Sequence, residues 1–141
     1  MPPISGDRWK GVVLEQLHTA KIGTVNEDGR PHVTPVWFDV DGDDVVFMTG
    51  TDSVKGRAIL RDPRVCVCVD DERPPFSFVM IHGTASTTDD PKQLLSWATR
   101  IGGRYIGKDR AEAYGKRNSG PGNLVVRVTP TRVTGYERIA E

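Results

Sequence analysis

The chain lacks the material that several kinds of protein need. It has no apolar run near the roughly 20 residues that a membrane span requires. It has no excess of either charge, with 19 basic and 19 acidic residues, which argues against nonspecific binding to nucleic acid or to a membrane surface. The stretch from Met1 to Lys10 lacks the apolar segment of a secretory signal, so a cytoplasmic protein is expected. No Gly-x-Gly-x-x-Gly follows a strand, and there is no P-loop, so a Rossmann or P-loop nucleotide site is not expected. The only cysteines, Cys66 and Cys68, would face one side of a strand. Two thiolates do not complete a tetrahedral metal site, and no Cys or His lies close in sequence to help, so they read as small packing residues and no metal is expected. His18, His32 and His82 have no metal-motif spacing. His32 or His82 could donate a proton, but a lone strand histidine is more often structural. No Ser, His and acid grouping stands out, so no catalytic side chain is nominated. A catalyst without such machinery borrows a cofactor that carries the hard chemistry.

What is present reads as one domain spanning residues 1–141, built mainly of strands. Ser5 can cap a short first helix, with Trp9, Val13, Gln16 and Leu17 near one face and an end at Leu17–His18. Strands follow at Ala20–Val25 and Pro31–Val40, joined by the Asn26-Glu27-Asp28-Gly29 turn. Pro35 removes a ladder donor, which implies an edge position, a bulge or a strand end. After Asp41-Gly42-Asp43-Asp44, a third strand at Val45–Thr49 would complete a meander. Ser53 is a credible cap for a second helix, with Val54, Ala58 and Ile59 inward and a stop at Asp62-Pro63. Further strands are expected at Arg64–Val69 and Phe76–Ser86. A helix should start at Asp89 or Asp90 with Pro91, place Leu94, Trp97, Ala98 and Ile101 on one face, and weaken or end at Gly102-Gly103. Arg104–Asn118 is basic and partly helical in pattern. Leu124–Tyr136 closes the chain as one or two strands broken near Pro130. Six or seven strands and three short helices, without βαβ alternation, imply an antiparallel β-barrel with attached helices.

The sharpest local feature runs from Thr49 to Arg57, where a strand ends, hydroxyl residues follow and a helix begins. A helix N-terminus offers unpaired N–H groups and a positive dipole end. Lys55 and Arg57 in its first turns would make a phosphate cradle. The same residues would also suit an ordinary capped helix with two solvated cations.

Three segments carry a family resemblance: GTVNEDGRPHVTPVWF (23–38), FMTGTDSVKGRAIL (47–60) and FVMIHGTAS (78–86). Together they resemble the pyridoxamine-phosphate-oxidase-like flavoproteins, and most nearly the deazaflavin-dependent reductases that use coenzyme F420. The resemblance spans about residues 10 to 137. It implies a split β-barrel, FMN-binding in type and homodimeric, with two cofactors in clefts between protomers. His32, Val33, Thr34, Pro35, Val36 and Trp37 would line the ring system, largely through backbone groups. Thr49, Thr51 and Ser53 would meet the phosphate or ribityl hydroxyls, and Lys55 and Arg57 would neutralise the phosphate. Phe76, Phe78 and Met80 would approach the cleft, from the same protomer or its partner, or else serve in packing. Arg104, Lys108, Arg110, Lys116 and Arg117 would suit the carboxylate tail that distinguishes F420 from FMN, unless they are a solvated helix face. The Arg-x-His substrate motif of the true oxidases is absent near the C-terminus, where no histidine follows His82. The function implied is hydride transfer from reduced F420 to a conjugated or quinone-like small molecule. The alternatives are an FMN enzyme on the same fold, or a carrier of flavin, deazaflavin or haem.

Overall fold

The computed structural model describes residues 2–141. In chain order the elements are α1 (Arg8–Leu14), β1 (Ala20–Val25), β2 (Pro31–Val36), β3 (Phe38–Asp41), β4 (Asp44–Gly50) and α2 (Val54–Arg61), followed by β5 (Arg64–Asp71), β6 (Ser77–Thr88), α3 (Pro91–Ile106), α4 (Lys108–Asn118) and β7 (Asn123–Tyr136). The strands form one sheet in the order β2-β1-β5-β6-β7-β4-β3, and every neighbouring pair is antiparallel. β2 and β3 lie at opposite edges, yet only Trp37 separates them in the chain. The sheet must therefore curl until its edges approach, which makes a split barrel.

That curl corrects the expected meander. The strand expected over Pro31–Val40 breaks at Trp37: its first part pairs with β1 and its second with β4. Pro35 sits on the edge strand β2, where its missing N–H costs no ladder bond.

Alternation decides which side chains fill the barrel. On β5, Val65, Val67 and Val69 point inward and are buried, while the free thiols Cys66 and Cys68 lie on the outer face. Phe38 and Phe47 are fully buried across the β3–β4 pair. α1 covers part of this core with Trp9, Val12 and Val13. This helix is shorter than expected and ends at Leu14, because its inward face is complete by Val13. Gln16 and Leu17 fall outside it. Ser5 offers only its backbone carbonyl, to the Arg8 N–H. In α2, Ala58 and Ile59 are buried, whereas Val54 in the first turn is exposed.

A second apolar layer lies outside the barrel. There α3 packs Leu94, Trp97 and Ile101 against Val46 and Val125. Asp90 caps α3, accepting the Gln93 N–H at 3.1 Å, with Pro91 in the first turn. The helix does not stop at Gly102-Gly103. Those glycines mark where α4 crosses: a Cβ on Gly102 would lie 2.4 Å from the Tyr114 ring, and one on Gly103 3.0 Å from Ala111. α4 is a complete helix, so the described residues hold four helices. β7 is one strand. It bulges near Pro130, where pairing passes from Gly83–Pro130 to His82–Arg132 and skips Thr131. β6 begins at Ser77, which leaves Phe76 in the preceding turn with φ 69°. No helix among the described residues is long and apolar enough to cross a membrane.

Candidate functional site

The β4–α2 junction is built by short-range hydrogen bonding. β4 ends at Gly50, opposite Asn123 of β7, and the Thr51 N–H donates to the Gly122 carbonyl at 2.8 Å. Ser53 caps α2: its hydroxyl accepts the Gly56 N–H at 3.0 Å and donates to the Gly50 carbonyl at 2.8 Å. Gly56 is required, because a Cβ there would stand 2.1 Å from the Gly50 carbonyl oxygen. The N–H groups of Val54 and Lys55 find no acceptor among the described residues, as expected for a first helical turn.

Beside this junction lies a cavity of about 440 Å³. It brings together six of the nominated residues: Pro35, Val36, Trp37, Thr49, Ser53 and Lys55. Lys55 is half-buried, and burial alone pushes its ammonium pKa down, with no acidic neighbour to offset it. Met48 and Ile101 make an apolar wall. Tyr114 and Asn118 reach the cavity from α4, and Asn123 from the start of β7. Sequence reasoning nominated none of these five for the site.

The Trp37 end is aromatic. Its ring stacks on Tyr105 at 4.8 Å and 5° and on Tyr114 at 5.7 Å and 28°. Tyr105 is itself fixed, accepting the Phe38 N–H at 3.3 Å and donating to the His18 carbonyl at 2.6 Å. Burial raises its phenol pKa.

The other nominated residues lie elsewhere in this protomer. Thr51 is in the turn beside the cavity but does not line it, and Arg57 is exposed on α2 outside it. His32 and Val33 border an apolar depression of about 560 Å³ on the sheet, with Gly23, Cys66 and His82. Thr34 Oγ1 and His32 Nδ1 are buried without partners, as is Thr24 Oγ1 opposite His32. Phe76 borders a separate charged depression near Arg8 and Glu137. Phe78 packs on Tyr136 at 5.9 Å, and Met80 lies opposite Cys68.

The basic cluster divides. Arg104 turns inward to the Phe38 carbonyl and lies over the Phe38 and Tyr105 rings. Lys116 pairs with Glu112 at 3.2 Å. Lys108 is exposed. Arg117 lies over the Tyr114 ring at 5.7 Å and, with Arg110, lines a groove of about 250 Å³ that shares Tyr114 with the main cavity.

A single antiparallel sheet curled into a split barrel, with helices attached, is the architecture of the pyridoxamine-phosphate-oxidase-like fold. The chain belongs to the pyridoxamine 5'-phosphate oxidase family, whose model matches residues 11–136. Among solved structures, it is similar to a conserved hypothetical protein of Mycobacterium tuberculosis, with 21% identity over 96% of this chain and 86% of that one and a TM-score of 0.81. It is also similar to an F420 reductase, with 24% identity over 92% and 98% of the two chains and a TM-score of 0.70. A third is an FAD-binding protein of Mycobacterium smegmatis, with 20% identity over 96% and 98% and a TM-score of 0.65. At these identities the likenesses establish the fold. No curated protein matches the chain.

Proposed function

We propose that this protein is an oxidoreductase that uses coenzyme F420 to reduce a conjugated or quinone-like small molecule. The carrying observation is Lys55: a half-buried cation with no acidic partner, in a cavity beside two unpaired helix N–H groups. Such a corner favours a phosphate, because charge-assisted donors are already in place and partly dehydrated. The volume and the aromatic and apolar walls suit a flat ring beyond it. When bound, the reduced deazaflavin supplies a hydride. The protein's part is to fix the ring, exclude water and hold the acceptor close.

Two features favour F420 over FMN. The groove lined by Arg110 and Arg117, with Asp109 as its one acid, adjoins the cavity through Tyr114 and would receive a carboxylate tail. The similarity to an F420 reductase agrees with this choice. The FMN enzyme is the second reading, favoured by the family itself.

The protein would act as a homodimer. Cys66, Cys68 and Met80 share an outer sheet face with the Lys21–Asp70 ion pair, and exposed Val33 borders the apolar depression beside it. A second copy on that face would bring Phe76, Phe78 and Met80 toward the partner's cleft.

The test is anaerobic turnover of reduced F420 with a quinone or an enone. Reoxidation should be catalytic, and Lys55→Ala should raise KM for the coenzyme. Tight binding with no turnover on any acceptor would favour a carrier, and FMN binding without F420 binding would favour the second reading.

A further inference from the structure

The hydrogens at the β4–α2 junction can be assigned one by one. Ser53 Oγ has a single proton, and the Gly50 carbonyl at 2.8 Å can only accept it. Ser53 Oγ also accepts the Gly56 N–H. Its 2.8 Å contact with Thr49 Oγ1 must therefore take the proton of Thr49. Thr49, only 8% exposed and lining the cavity, is left with lone pairs and no hydrogen to offer.

The two asparagines of the cavity are oriented in the same sense. Asn118 Nδ2 donates to the Tyr114 carbonyl and Asn123 Nδ2 to the Gly120 carbonyl, each at 2.9 Å. Carbonyl oxygens accept only, so these partners fix which end of each amide is nitrogen. That leaves both Oδ1 atoms without a donor among the described residues, and each Nδ2 with one further hydrogen.

Free lone pairs on Thr49 Oγ1 and the two Oδ1 atoms, beside the remaining hydrogens of the two amide nitrogens, give the cavity a mixed lining that a phosphate, an acceptor only, cannot satisfy. It suits a chain of hydroxyl groups. We infer that Asn118 and Asn123, together with Thr49 Oγ1, form a subsite for a polyhydroxylated chain. The phosphate that ends this chain is held by Lys55 and the first N–H groups of α2. The inference rests on the coenzyme reading and holds for a flavin or a deazaflavin alike. It assigns binding roles to two residues from the end of α4 and the start of β7.

The experiment compares ligand pairs that share ring and phosphate. In one member the chain at N10 is ribityl phosphate, and in the other it is plain pentyl phosphate. A flavin pair and a 5-deazaflavin pair are titrated into wild-type protein, the Asn118→Ala/Asn123→Ala double variant and Lys55→Ala. A neutral hydrogen bond changes affinity by roughly 2- to 10-fold. Wild type should therefore prefer the ribityl ligand by about tenfold or more. In the double variant that preference should collapse through loss of ribityl binding alone, and unchanged pentyl binding also shows that the variant is folded. Equal loss for both members, or no loss for either, overturns the subsite. Lys55→Ala should weaken both members equally. If it weakens both while the asparagine variant discriminates nothing, only the subsite falls. If it weakens neither, or wild type binds neither, the coenzyme reading falls and the subsite with it.

Discussion

The barrel and the α3–α4 hairpin bury their residues by different means. The barrel fills its interior with branched and aromatic side chains, and Phe47, Val67, Val79 and Val126 are each 0% exposed. The hairpin packs by omission. Gly102 makes room for the Tyr114 ring, Gly115 makes room for Thr99, and Gly115 is the one buried residue of α4. Apart from the apolar face of α3, arginines and the Tyr105 hydroxyl tie this hairpin to the barrel. Arg100 donates to Asp39 at 2.9 Å and to the Val40 carbonyl at 3.0 Å. Trp97 has Arg100 at 4.6 Å and Arg127 at 5.6 Å from its ring. The barrel therefore carries most of the stability, while the hairpin supplies one wall of the cavity through Tyr114 and Asn118. A substitution should be able to damage one and spare the other.

The largest effect belongs to the barrel. Phe47→Ala should cost about 3–5 kcal/mol, the price of a cavity in a packed core, read as a fall in urea unfolding free energy. A loss near that of a surface substitution would mean the barrel is not the stabilising unit. Next comes Lys55→Ala, which should weaken coenzyme binding by about 1.5–3 kcal/mol, the worth of a charge-assisted hydrogen bond, with the urea midpoint unchanged or slightly higher. Gly102→Ala should separate the two regions most sharply. Alanine favours the helix by about 1 kcal/mol over glycine, which offsets part of the strain against Tyr114. Stability should fall by less than for Phe47→Ala, while coenzyme affinity falls several-fold as Tyr114 and α4 shift. The smallest effect is Arg100→Met, below about 1 kcal/mol in unfolding because the ion pair is half-exposed.

Local signals in the sequence located the elements whose cause is local. Ser53 and Asp90 cap their helices as their positions suggest, and the alternation of β5 sends its valines inward and its cysteines outward. Features whose cause is distant were not legible. A strand's own pattern does not say which edge it joins, so the break at Trp37 was hidden. Gly102 reads as a helix end because its cost is local, whereas its benefit comes from Tyr114 on the next helix. Tyr114, Asn118 and Asn123 belong to no motif and reach the cavity only through the hairpin's placement. Arg104 was legible in principle. It lies three residues after Ile101, on the same helix face, which should have turned it inward and away from the basic cluster.

The central claim is that a coenzyme phosphate docks against Lys55 at the β4–α2 junction. Burial holds the free ammonium pKa below that of an ordinary lysine, and a bound phosphate would raise it, so binding takes up a proton as the pH passes through the free value. Affinity should be full below that value and decline as the pH rises through it. The direct measurement is calorimetric titration of F420 and FMN into wild-type and Lys55→Ala protein from neutral to alkaline pH. The account predicts a wide affinity gap at neutral pH that closes as Lys55 loses its proton. Equal affinities for the two proteins at neutral pH, or a gap that ignores pH, would contradict it.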